Sequence, residues 1–311
     1  MISAQVAAPR AANEYNAGLW IAAASFVLWG LMPLYWHLLK AVPSLQIVVH
    51  RIVWSAVLVV GWLAWTQGTR WLRTALAQPR VAWMLALSAV LIGFNWSLYI
   101  WAVNAGHVVE TSLGYFINPL LNVVIGTLFL RERLSKAQWL SVAIASAGVL
   151  WLTFNYGSFP WIALTLAASF ALYGLIRKLA AVESLPGLGI ESLYLFLPAL
   201  LALIWFEASG QGGFFGGWDW RLDAMLVVGG GLTALPLLGF AYAVRRVRYS
   251  IVGLMQYIAP TLQLLCGVLV FHESFDRDRA IGFVLIWIAL AIFAVDGLWR
   301  SRSPATVAPA R

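Results

Sequence analysis

Apolar residues fill the chain in long runs, and short polar segments separate them. A helix rises about 1.5 Å per residue, so roughly 20 apolar residues cross the hydrocarbon of a bilayer. Ten runs of that kind predict helices at about 18–38, 44–66, 81–104, 111–130, 137–155, 159–177, 187–206, 222–244, 250–271 and 280–299. The longest loop, between Trp205 and Arg221, is rich in glycine (SGQGGFFGGWDW) and reads as an exposed turn.

One run carries more than apolar filler. In Thr111–Arg133 (TSLGYFINPLLNVVIGTLFLRER), Tyr115, Asn118, Pro119, Asn122 and Gly126 recur at steps of three and four and share one helix face. The stretch occurs again, without a gap, at Val252–Ser274, an offset of 141 residues. Leu113, Ile117, Pro119, Leu121, Gly126, Leu128 and Glu132 meet Leu254, Ile258, Pro260, Leu262, Gly267, Leu269 and Glu273, and Asn122 meets Gln263. The second copy carries its own amides, Gln256 and Gln263. Ala24–Leu31 (ASFVLWGL) likewise matches Ala168–Leu175 (ASFALYGL). Five helices per half is an odd number, so the second half must insert upside down. The expected fold is an all-α integral membrane protein with ten transmembrane helices in two inverted five-helix repeats. The repeats cover 18–156 and 157–300, between tails at 1–17 and 301–311. A polar, proline-broken helix in each repeat points to a site between them, as in alternating-access carriers.

Composition agrees. Of 311 residues, 62% are hydrophobic and 10% charged, against about 25% charged in soluble domains. The lipid bilayer is therefore an expected partner, and the eighteen tryptophans suit interfacial belts. The net charge of +8 would suggest nucleic acid in a soluble protein, but here the basic residues sit in loops and no nucleic-acid partner is expected. With the N-terminus inside, 15 basic residues fall in inner segments and 4 in outer ones, which predicts both termini cytoplasmic. The run from Ala17 continues past the 7–15 residues of a signal core and reads as a retained first span. The lone Cys266 permits no intrachain disulfide and reads as a small core hydrophobe.

The chain resembles the drug/metabolite transporter superfamily, in particular its EamA-type ten-helix members, and more closely the bacterial RarD group of chloramphenicol-sensitivity proteins. The segments that carry this are Val48–Ser55 (VVHRIVWS), Ser88–Asn104 (SAVLIGFNWSLYIWAVN), Glu110–Gly126, Ala168–Lys178 (ASFALYGLIRK) and Met255–Leu262 (MQYIAPTL). The resemblance spans about residues 18–300 and implies a ten-helix protein of the bacterial inner membrane that carries small metabolites or drugs, often outward. The broader family often has Gly-Glu after the fourth and ninth helices, where this chain has Arg131-Glu132 and His272-Glu273. That departure leaves these glutamates the role of ending a helix.

Several residues could carry chemistry. His50 and Arg51 lie roughly 10 Å into the second helix, where a charge must be paired or face a cavity. Arg51 reads either as an anion site, with a two-pronged contact to a carboxylate, or as a snorkelling or carbonyl-paired side chain. His50 could take up a proton. Glu191 stands at the repeat position of His50; it reads first as a helix-end acid meeting water and second as a proton-coupling carboxylate. Asn95 either joins the polar face or bonds a neighbouring helix. Tyr115, Asn118, Asn122, Gln256 and Gln263 line a substrate path or act as interhelical glue, and the matched Pro119 and Pro260 suggest symmetric gates. His272-Glu273 runs into Ser-Phe-Asp rather than a second zinc-protease histidine, there is no cysteine cluster, and no phosphate-cradling loop occurs. No enzyme activity, metal or cofactor is expected. The leading expectation is a secondary carrier, a probable exporter, of a small organic metabolite or drug; the alternative is a non-transporting membrane scaffold or sensor.

Overall fold

In hydrocarbon no water satisfies a backbone N–H or C=O, so each apolar run must close its bonds within itself. The computed structural model describes residues 3–105, 107–154, 159–214, 216–272 and 277–302. Among them the helices are α1 (Ser3–Leu38), α2 (Ser44–Gln67), α3 (Arg70–Leu76), α4 (Pro79–Asn104), α5 (Val108–Leu128) and α6 (Lys136–Phe154). They continue as α7 (Trp161–Leu179), α8 (Ser184–Ala208), α9 (Trp220–Arg246), α10 (Tyr249–Met255), α11 (Ile258–Leu265) and α12 (Arg277–Arg302). Ten spans among the described residues are long and apolar enough to cross a membrane, the ninth (Tyr249–Val270) comprising α10, α11 and a π-helical turn at Cys266–Val270. Each expected run therefore forms a span, with ends within a few residues of the hydropathy boundaries.

Burial sorts the spans. The most apolar window is 61% buried in α5 and 56% in α9 and in the ninth span, but only 22% in α12. The first three form the centre. There α2 packs on α8 and α9, α1 on α9 and α11, α5 on α7 and α10, and α4 on α7 and α8. Helix α12 lies outside, packed chiefly on α6. Small residues permit that crossing: a Cβ at Gly148 would sit 2.9 Å from the Gly282 carbonyl oxygen. Trp65, Trp83, Trp139, Trp161, Trp205 and Trp220 are exposed near helix ends, as belts require, whereas Trp29, Trp36, Trp54 and Trp96 turn inward.

The repeat-equivalent spans differ in one respect. Helix α5 runs unbroken through Pro119. The ninth span breaks at Gln256–Tyr257, ahead of Pro260, and loosens again in the π turn. Pro260 has no N–H to return to the Gln256 carbonyl, which instead accepts from Ala259 N at 3.2 Å. The symmetry expected of the two prolines is thus absent in the backbone. The corners that follow do match. Arg131 (φ 53°) and His272 (φ 55°) are the positive-φ residues other than glycine among the described residues, and they stand 141 positions apart. Glycine adopts this left-handed conformation at no steric cost, which explains a Gly-Glu pattern at these corners.

The glycine-rich loop is exposed over residues 209–211 and 216–217, as expected of a turn, but its middle folds inward. Gly213 and Phe214 are buried, and Phe214 packs with Leu39, Val42 and Leu226. The Glu207 carboxylate accepts from Phe214 N at 3.1 Å, and Gln46 Nε2 donates to the Gln211 carbonyl at 2.5 Å. These bonds draw the loop down over α2, an outcome its composition could not reveal.

Close approach at α5 and α10 yields a test. A Cβ on Gly253 would lie 2.6 Å from Asn122 Cβ and 2.9 Å from the Pro119 oxygen, whereas nothing lies within 4 Å of one on Gly61. Gly253→Leu should lower the thermal midpoint of the detergent-purified protein, with an overpacking cost of about 1–3 kcal/mol. Gly61→Leu should leave it within experimental error; equal effects would contradict this packing.

Candidate functional site

Arg51 lies two turns into α2, and the 100° step between neighbouring helical residues sends it and His50 in different directions. Arg51 faces a cavity of about 250 Å³ enclosed by α1, α2, α4, α5, α7, α9 and α11. Its Nε donates to Thr233 Oγ1 at 2.8 Å, and Thr233 in turn donates to the Gly229 carbonyl, so its lone pair is aimed at the guanidinium. The guanidinium carbon stands 4.6 Å from the centre of the Trp36 ring and 5.6 Å from that of Trp96. Such stacking offsets part of the cost of holding a charge away from water.

The expected amides divide. Asn95, Asn118, Gln256 and Gln263 line the cavity, as do Tyr115 and Pro260. Asn95 Nδ2 donates to the Leu166 carbonyl and Ser169 Oγ at 2.8 and 2.9 Å, pinning α4 to α7. Gln263 Nε2 donates at 3.3 Å to the Trp29 carbonyl, the group that Pro33 leaves without its helical donor. Asn118 is 4% exposed, and its Oδ1 has no partner. Tyr115 meets Tyr99 edge to face at 6.0 Å.

Four expected site residues lie elsewhere. Asn122 is fully buried and donates to Gln256 Oε1 at 2.7 Å, bridging α5 and the ninth span. It is absent from the lining because Gly253 lets the two backbones meet there. Pro119 is absent from it as well. His50 is fully buried, accepts from Trp54 Nε1 at 3.3 Å, and packs 4.8 Å from the Phe214 ring beneath the glycine-rich loop.

Glu191 does not meet water. It is 2% exposed, forms an ion pair with Arg177 at 3.6 Å, and accepts from Ser88 Oγ and, at 3.5 Å, from Tyr173 OH. Arg177 Nη2 donates to the Ser184 carbonyl at 3.0 Å. The helix end is covered by α4 and α7, which is why its position in the chain misled.

The cavity occupies the half of the bundle that holds the C-terminal end of α1 and the N-terminal ends of α2, α5, α7 and α9. The opposite half is filled by Val59, Leu63, Trp71, Leu85, Val244 and Tyr249. Glu132 clasps that closed end. Its carboxylate accepts from Tyr249 N (2.7 Å), Ser250 N (2.9 Å) and Ser250 Oγ (2.7 Å), and lies 3.8 Å from Lys178 Nζ. Glu132 therefore does more than end a helix. Its counterpart Glu273 lies outside the described residues.

Sequence reasoning did not single out Trp36, Trp96, Tyr99 and Thr233 at the cavity. Trp96 and Tyr99 were within reach of notice, since they follow Asn95 at i+1 and i+4; Trp36 lies near a helix end and reads as a belt residue.

A ten-span helical bundle that encloses a mainly apolar cavity with one formal charge, sealed toward one end, defines a multi-pass membrane protein with an internal cavity. The EamA-like transporter family matches residues 16–154. Protein RarD of Escherichia coli (strain K12) is 42% identical, over 94% of this chain and 98% of that protein. An uncharacterized transporter of Pseudomonas aeruginosa is 45% identical, over 89% of this chain and 92% of that one. A crystal structure 21% identical in sequence shares the fold, with a TM-score of 0.69 over 93% of this chain and 99% of the other. The chain belongs to the EamA-like transporter family.

The buried pair gives a prediction. Glu191→Ala leaves the Arg177 charge uncompensated and should destabilise the protein by about 3–5 kcal/mol. Replacing both, as Arg177→Met with Glu191→Leu, should restore most of the thermal midpoint. A double variant no more stable than the single one would mean that the pair is not the source of the loss.

Proposed function

We propose that the protein is a secondary carrier of the bacterial inner membrane that moves a small organic solute by alternating access and works as an exporter. The observation that carries this reading is the cavity, mainly apolar but holding Arg51 and four amides, enclosed by seven helices and closed toward one end. A volume of about 250 Å³ is below the roughly 300–1,000 Å³ of drug-sized pockets, which favours a small metabolite.

The packing supports two inverted repeats at 18–156 and 157–300. Exchanging the halves sends α1 on α9 to α7 on α4, α1 on α11 to α7 on α5, and α2 on α9 to α8 on α4; each pair is in contact. The pairs α2–α8, α5–α10 and α6–α12 map onto themselves. Five spans per half then invert the second. The excess of basic residues on one side supports termini and a sealed end in the cytoplasm, with the cavity on the outer side.

Orientation has a direct test. In a Cys266→Ala background, Ser209→Cys should react with an impermeant maleimide on intact cells, and Gln78→Cys only after permeabilisation; the reverse pattern would overturn the topology. Carriage is tested separately. Metabolites that raise the thermal midpoint of the purified protein should show saturable counterflow in proteoliposomes. Stabilising solutes that never cross would leave the scaffold reading in place of the carrier.

A further inference from the structure

The bundle holds two inward arginines, and they are treated differently. Arg177 has a carboxylate, Glu191. Arg51 has none: among the described residues its polar contact is Thr233, and no Asp or Glu lines the cavity. A lone charge at that depth is costly unless something of opposite sign visits it.

The geometry also limits how a visitor can bind. The Trp36 and Trp96 rings lie against the guanidinium, and Thr233 takes Nε. What remains is the in-plane edge formed by the two Nη groups. That edge matches the planar, two-oxygen fork of a carboxylate. The walls beside it are the aromatic surfaces of Trp29, Trp96, Tyr99 and Phe170, suited to a flat apolar body. Asn118, Gln256 and Gln263 add amides to the lining. A free ammonium on the solute would find no carboxylate here and would feel the repulsion of Arg51.

We infer that the cavity selects a small organic monocarboxylate with an apolar or aromatic body, held by the Nη edge of Arg51, and discriminates against solutes bearing an ammonium group. This rests on the reading of the cavity as the transport site. It makes Arg51 a specificity determinant and the carboxylate its missing counterion.

Four probes of one shape separate the charges: L-3-phenyllactate (anion), L-phenylalanine (the same skeleton with ammonium for hydroxyl), phenethylamine (cation) and 3-phenyllactamide (neutral). Binding is measured by calorimetry on the full-length protein in detergent, and movement by counterflow in proteoliposomes. Phenyllactate should bind about tenfold or more tightly than phenylalanine, with phenethylamine weakest. Arg51→Gln should weaken phenyllactate by roughly tenfold to a hundredfold, the scale of one charge-assisted bidentate contact, and phenyllactamide less than about threefold. Arg51→Lys should recover part of the loss. Should Arg51→Gln fail to fold, Thr233→Val, which frees Nε, should still weaken the anion selectively. Equal binding of phenylalanine, preference for the amine, absence of phenyllactate binding, or indifference of a folded Arg51→Gln protein would each overturn the inference. The two levels separate cleanly. Phenyllactate that binds through Arg51 but is not moved sinks the carrier reading and keeps the anion site; an amine moved independently of Arg51 does the opposite.

Discussion

A polar group inside a membrane-spanning bundle must find a partner in the protein or face a water-filled space. That constraint sorts the inward polar side chains here. Asn122 takes Gln256, Gln263 takes the carbonyl that Pro33 leaves open, and Asn95 takes α7. Glu191 takes Arg177 and Ser88, and Glu132 takes the start of α10. Arg51, hydrogen-bonded to Thr233, and Asn118, whose buried Oδ1 has no partner, both line the cavity. The hydrogen bonds of Asn95 and Gln263 hold the cavity walls in place.

The two ends of the bundle differ in the same terms. At the sealed end Tyr249 donates to the Ala171 carbonyl at 2.6 Å, Lys178 bonds the carbonyls of Val244 and Val247 at 2.8 Å, and aromatic rings of Tyr173 and Phe240 stack 6.2 Å apart. Near the cavity the ninth span is broken at Gln256 and loosened over Cys266–Val270, while its counterpart α5 is continuous. Proline and π turns are the usual sources of helix irregularity. Both equivalent spans carry a proline, Pro119 and Pro260, but the break and the π turn fall on one alone, so the asymmetry comes from conformation as well as from sequence.

Much of this was legible beforehand for a plain reason. An apolar run of about 20 residues has few alternatives to a spanning helix, so the ten spans followed from hydropathy alone. Periodicity also gave the polar face of α5, on which Tyr115 and Asn118 line the cavity. It could not separate Asn118 from Asn122, because both lie on that face and only the approach of Gly253 decides which one is covered. The same limit hid His50: adjacent to Arg51 in the chain, it turns under Phe214 of a loop whose glycines suggested exposure. Glu191 sits near a helix N-terminus, where an acid normally meets water, and only the tertiary contacts of Ser88, Tyr173 and Arg177 show it buried.

Those contacts also bear on which parts of the sealed end can move. Separating Arg177 from Glu191 would expose two uncompensated charges to a low-dielectric interior, at a cost of several kcal/mol. The pair joins α7 to α8, Ser88 joins α4 to α8 and Asn95 joins α4 to α7, so these three helices are held as one body. The Glu132 clasp is different in kind. It joins the α5–α6 corner to the start of α10 through backbone N–H groups and a hydroxyl, and its Lys178 partner is 19% exposed. On an alternating-access reading, the Glu132 clasp joins segments of the two repeats and must break for the sealed end to open, whereas the Arg177–Glu191 pair lies within the second repeat and travels intact.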